Sequence, residues 1–181
     1  VSTDTKTYNV SPSLDESTSA SILLASQIAY DSLVENDGYN PEEVHRLAVC
    51  YQASALIASH LFENGYYAEH EIRSGWTVTE HSYVTIDVGL NTEIVIDPTW
   101  QQFLPKDKVS ERMPKVLVGT RDEIISQAQR FGVDEFTLKL WRKQEIKMTV
   151  SQQKHVDNEA KEAADHAEED GAWERFMAPS S

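Results

Sequence analysis

Cysteine is nearly absent: Cys50 is the only one in 181 residues, so no intramolecular disulfide can form and the fold must rest on packing. That leaves Cys50 free, structural or reactive, and leaves the redox compartment open. Positive charge is also in short supply. Sixteen Lys and Arg stand against 30 Asp and Glu, and the resulting net charge of −14 repels the phosphates of nucleic acid and anionic lipid headgroups. Neither nucleic acid nor a membrane surface is therefore expected as a partner. Apolar runs are short, none reaching the roughly 18 residues of a membrane-spanning helix, and the most apolar N-terminal stretch, Ser19 to Tyr30, has no basic segment before it. A soluble protein is expected, cytoplasmic or exported. No internal repeat is visible. The spacing of Cys50, His60, His70 and His81 matches neither a C-x-x-C pair nor an H-E-x-x-H helix, so no metal or other cofactor is expected.

What is present is 40% hydrophobic residues, enough for one sizeable core in a chain of this length. Three parts are expected. Residues 1–12 are polar and without hydrophobic period, a disordered lead-in; residues 13–150 form one α+β domain; residues 151–181, with eight acids and three bases, form an acidic, largely disordered tail in which Trp173, Phe176 and Met177 are the exceptions, with docking on another surface as their candidate role. Ser13 and Glu16 have capping-box spacing ahead of Ile22, Ala25, Ala29 and Leu33, which predicts a first helix ending at Asn36-Asp37-Gly38. Asn40-Pro41 starts a second helical region that Gly65 closes. Extended segments at 66–74, 80–88 and 92–97 predict an antiparallel meander, and 115–118 a further short strand. Thr120 and Glu123 cap a helix to Phe131, and Asp134 caps a last helix through about Lys147.

A thiol becomes a strong nucleophile when an imidazolium and a helix N-terminus lower its pKa. Cys50 precedes the apolar helical run Ala53, Leu56, Ile57 and Leu61, His81 opens one strand, and Asp97 ends the next. Neighbouring antiparallel strands can place a His and an Asp on one face, where the carboxylate takes the imidazole Nδ1–H. An unbroken helix from Pro41 would bury Cys50 in mid-helix, away from the positive dipole end, so a break is expected between Arg46 and Cys50. Each residue also has a plainer reading: Cys50 as a buried apolar residue, His81 as a hydrogen-bonded histidine, Asp97 before Pro98 as a turn residue.

The segments Cys50-Tyr51-Gln52-Ala53, Gly65-Tyr66-Tyr67-Ala68, His81-Ser82-Tyr83-Val84 and Ile96-Asp97-Pro98-Thr99-Trp100-Gln101-Gln102-Phe103 resemble bacterial transglutaminase-like proteins over about a third of the chain. The resemblance implies a papain-like fold, with the nucleophile helix packed on a small antiparallel sheet, and a Cys50, His81, Asp97 triad. It implies a cysteine hydrolase or acyltransferase, such as a peptidase, glutamine deamidase or transglutaminase, acting on a peptide or protein. Tyr51 departs from the small residue that many such enzymes carry after the cysteine.

Around that triad, Trp76, Trp100 and Gln102 are candidates for lining a substrate groove, their plainer role being core packing or turn chemistry. The backbone N–H of Cys50 and the side chain of Gln52 are candidates for holding an oxyanion. Asp87 as the third member is set aside, because six residues along the strand from His81 it is too remote to orient the ring. The competing reading from another class is a non-catalytic papain-like module that binds a protein partner through the same groove.

Overall fold

A computed structural model describes residues 8–9, 14–73, 80–143, 158–159 and 161–162. The chain divides into two units, residues 1–143 and 144–181. In the second unit the described residues are helical and exposed; the expected disorder of the tail, and the role considered for Trp173, Phe176 and Met177, lie otherwise outside the described residues.

The first unit is α+β. Four helices accompany the sheet: α1 (Glu16–Asp37), α2 (Cys50–Glu63), α3 (Arg121–Phe131) and α4 (Glu135–Leu138). Strands β2 (Tyr67–Arg73), β3 (His81–Asp87), β4 (Glu93–Asp97) and β5 (Val116–Gly119) pair antiparallel in the order β5-β4-β3-β2. A two-residue strand β1 (Tyr8–Asn9) adds parallel to β5, so the segment expected to be a disordered lead-in contributes to the sheet. Backbone pairing with an open strand edge needs no hydrophobic period, which is why the sequence pattern did not show it.

Alternation along the strands divides the core between the two faces of the sheet. Val84, Ile86, Ile94, Ile96, Val116 and Val118 pack with the buried residues of α1 and α2, among them Ile22, Leu33, Ile57 and Leu61. Tyr83, Val95 and Leu117 face the other way, with Trp100, Ile124, Ala128, Leu138 and Trp141. Val84 pairs with Ile96, so Asp97 lies opposite Tyr83, and His81 is its diagonal neighbour on the same face.

Two helix boundaries differ from expectation. Asp15 caps α1, while Ser13, expected in that role, lies outside the described residues: the Asp15 carboxylate accepts from the Thr18 N–H at 2.8 Å and from the Thr18 hydroxyl at 2.7 Å, and a full negative charge suits the positive helix end. The last helix stops at Leu138, followed by one 3₁₀ turn to Trp141 and an extended Arg142, instead of running to about Lys147. The carbonyls of Leu140, Trp141 and Arg142, which a helix would use internally, accept instead from Tyr83, Arg121 and Arg73 at 2.8, 3.2 and 2.7 Å. Residues 144–150 lie outside the described set. No described helix is long and apolar enough to cross a membrane.

Candidate active site

The helical region begun at Asn40-Pro41 does break before Cys50. Asn40 Oδ1 accepts from the Glu42 N–H at 3.0 Å, a 3₁₀ turn covers Val44–Arg46, and Leu47 is extended at φ −85°, ψ 159°. Helix α2 then starts at Cys50, with Val49 at the capping position. Its first internal bond runs from the Ala53 N–H to the Val49 carbonyl at 3.0 Å, so the amides of Cys50, Tyr51 and Gln52 lie outside the helical ladder. The Val49 side chain has no oxygen to cap them. The positive end of α2 is thus open to an anionic sulfur or oxygen at the first helical residue.

Strands β3 and β4 bring the other two groups to that end. His81 Nε2 meets Asp97 Oδ2 at 2.6 Å, with both residues fully buried. This is the opposite ring nitrogen from the one expected. It leaves Nδ1 turned from Asp97, and the Cys50 thiol and the imidazole act on each other's titration, as the Ser82 amide does on the thiol. Ser54, one turn into α2, donates from its hydroxyl to the Ser82 carbonyl at 3.2 Å and ties helix to strand at this point.

Asp97 is held on both oxygens. Oδ1 accepts from the Thr99 N–H at 3.0 Å, the turn role that Asp-Pro implies; Oδ2 takes the indole N–H of Trp141 at 2.7 Å besides the imidazole. Tyr30, from α1, donates its hydroxyl to the Pro98 carbonyl at 2.6 Å and fastens the same turn. Phe103 and Trp141 meet the His81 ring edge-on, with centroids 4.8 and 6.3 Å away.

The electrostatics follow from this enclosure. Burial disfavours the charged imidazole, but the adjacent Asp97 carboxylate and the Cys50 sulfur outweigh it and raise the His81 pKa to about 9. Burial likewise disfavours the Cys50 thiolate, yet the hydrogen bonds from His81 and the Ser82 amide prevail and lower its pKa. The two opposite shifts favour a thiolate–imidazolium pair. Of the three residues only Cys50 keeps any solvent exposure, 8%.

The remaining candidates separate. Gln102 lies at the site, its Nε2 3.3 Å from His81 Nδ1 and bonded to the Thr99 carbonyl and hydroxyl at 3.1 and 3.0 Å. Trp100 lines no groove: it is fully buried, donates its indole N–H to the Pro114 carbonyl at 2.9 Å and packs on Phe131. Gln52 is exposed on α2. Trp76 lies outside the described residues. Tyr51 is 56% exposed, with its ring against that of His70 at 4.8 Å, and is not packed into the core around the nucleophile. Trp141 is not among the site candidates in the sequence, because no local pattern signals a contact across 44 residues. Among the described residues no group of three or more His, Cys, Asp and Glu is placed to hold a metal ion.

No family of proteins, no curated protein and no solved structure matches this chain.

Proposed function

We propose that this protein is a thiol-dependent acyl-transfer enzyme of papain-like, transglutaminase-like type, acting on amide bonds of a peptide or protein through Cys50, His81 and Asp97. The observation that carries the reading is the buried His81–Asp97 pair, 2.6 Å apart, with Cys50 at the uncapped start of α2.

In the reaction, the Cys50 thiolate attacks the amide carbonyl carbon, forming the C–S bond while the carbonyl π pair moves to oxygen. The Cys50 amide, free of the helical ladder, is one donor for that oxyanion. Gln102 replaces Gln52 as the second, because its NH2 group lies beside His81 Nδ1. Collapse breaks the C–N bond, and the imidazolium passes its proton to the departing amine or ammonia. Water or a lysine amine then attacks the thioester, gives its proton to His81 and releases the thiolate. Asp97 keeps the ring aligned throughout. No cofactor enters this sequence.

The test is incubation with a peptide library rich in Gln and Lys, read by mass spectrometry. Chain cleavage, conversion of Gln to Glu, or Gln–Lys cross-links identify the acyl acceptor, and Cys50→Ala must abolish whichever occurs. Full burial of His81 beneath Phe103 favours a second reading, a closed module that binds a protein partner without chemistry. That reading requires no product from any peptide and a native Cys50 inert to alkylation.

A further inference from the structure

The contacts that hold Asp97 extend beyond the triad to a segment at the end of the first unit. Trp141 is fully buried, and its indole N–H and the His81 imidazole both donate to Oδ2 of Asp97. Apart from these two, the carboxylate has, among the described residues, only the Thr99 amide, on its other oxygen. Without the indole, that single amide and the histidine would have to fix the carboxylate plane themselves. The indole is placed in turn by the backbone that carries it. Tyr83, two residues along β3 from His81 and on the same face, donates its hydroxyl to the Leu140 carbonyl at 2.8 Å. Arg121, at the start of α3, donates to the Trp141 carbonyl at 3.2 Å, and Arg73, at the end of β2, to the Arg142 carbonyl at 2.7 Å. Three successive carbonyls are thus gripped by side chains from three different elements. The grip is itself anchored on Glu71, which accepts from Arg121 at 2.7 Å and Arg73 at 3.0 Å. A buried indole N–H needs an acceptor, but a neutral carbonyl serves, as Pro114 does for Trp100; for Trp141 the acceptor is the carboxylate that holds His81.

We propose that Trp141 is a positioning residue for the Cys50, His81, Asp97 site, and that residues 140–142 form a strap whose clamping by Tyr83, Arg121 and Arg73 sets the orientation of Asp97. This rests on the reading of the site as a thiol active centre. Trp141 bonds neither the sulfur nor a ring nitrogen; besides its edge contact with the His81 ring, it acts through Asp97, and so through the orientation and charge of His81, which in turn governs the Cys50 thiolate.

The test is the pH dependence of Cys50 alkylation by iodoacetamide in the full chain, for wild type, Trp141→Phe and Tyr83→Phe, each well below its melting temperature. Trp141→Phe keeps an aromatic ring but has no N–H; Tyr83→Phe keeps the ring and removes one clamp. The expected result is that the inflection for thiolate formation moves up by about one pH unit in Trp141→Phe, with the alkylation rate below the inflection falling about tenfold, and that Tyr83→Phe moves both in the same direction by less. If a turnover assay is in hand, Trp141→Phe lowers kcat and leaves KM unchanged. A folded Trp141→Phe with the wild-type profile overturns the proposal. So does a Tyr83→Phe shift larger than that of Trp141→Phe, which would place the effect outside the strap. Failure of the underlying reading is distinguishable, because the wild type itself would then lack a depressed inflection.

Discussion

Removing Arg121 should cost this fold more than removing an ordinary surface arginine, and the structure gives the reason and the size. Arg121 is 13% exposed and serves four acceptors: Glu71 at 2.7 Å, Glu93 at 2.5 Å, the Tyr83 hydroxyl at 3.0 Å and the Trp141 carbonyl at 3.2 Å. The Glu71 carboxyl, penalised by burial but held by Arg121 and Arg73, stays ionised below the usual range. Arg121→Ala strands part of that charge, and a hydrogen bond to a charged group contributes about 1.5–3 kcal/mol. The Glu93 pair adds little, at most about 1 kcal/mol, since Glu93 is 40% exposed and screened. The two neutral acceptors contribute about 0.5–1.5 kcal/mol each, reduced because Tyr83 keeps Arg73 as a partner. Non-additivity among shared partners brings the expected loss to about 3 kcal/mol. Urea denaturation with an unchanged m value measures it, and a double-mutant cycle with Glu71→Gln isolates the pair, with an expected coupling of about 1.5–2.5 kcal/mol. Because the pair is mostly enclosed, most of that coupling should survive about 1 M salt, where the Debye length is near 3 Å. A total loss under about 1 kcal/mol, or a coupling under about 0.5 kcal/mol, would refute the reasoning.

Trp100→Ala should destabilise by about 3–5 kcal/mol, as for a buried core aromatic, with KM unchanged in whatever remains folded; a KM effect without a stability loss would restore the groove role. Gln102→Leu should lower kcat by about 10²–10³ while KM stays constant, as expected for loss of an oxyanion donor, and an unchanged kcat would remove Gln102 from that role. In Cys50→Ala, where the thiol no longer titrates, the Asp97 carboxylate still raises the His81 pKa, which implies stability that is fully present below pH 6.5 and lost as pH rises through the folded pKa; without the sulfur that pKa lies below the value of about 9 in the intact site. Stability that rises over that range would contradict the charged imidazole.

Much of the site was legible because its parts lie where local patterns are strong. The apolar run after Cys50 marks α2, the alternation in 81–87 and 93–97 marks β3 and β4, and antiparallel neighbours must place His81 and Asp97 close together. Even the break before Cys50 followed from the dipole argument, although no breaker residue occupies 47–49. What stayed hidden depends on contacts distant in sequence. Which nitrogen of His81 faces Asp97 is set by how the ring meets α2. Trp100 and Gln102 share one turn, yet one faces the core and the other the site, which their spacing does not reveal. The early end of the last helix depends on Tyr83, Arg121 and Arg73 taking its carbonyls, and β1 depends on an open edge of β5.

The central claim is that Cys50 is held as a thiolate by a charged His81. Its most direct measurement is the alkylation rate of native Cys50 by iodoacetamide as a function of pH, in wild type and in His81→Ala. The account predicts reaction at mildly acidic pH in the wild type, with an inflection clearly below the roughly 8.5 of an ordinary thiol, and its return to that ordinary value in His81→Ala. A wild-type profile with its inflection at or above about 8.5, or a native thiol that does not react at any pH short of unfolding, would contradict it.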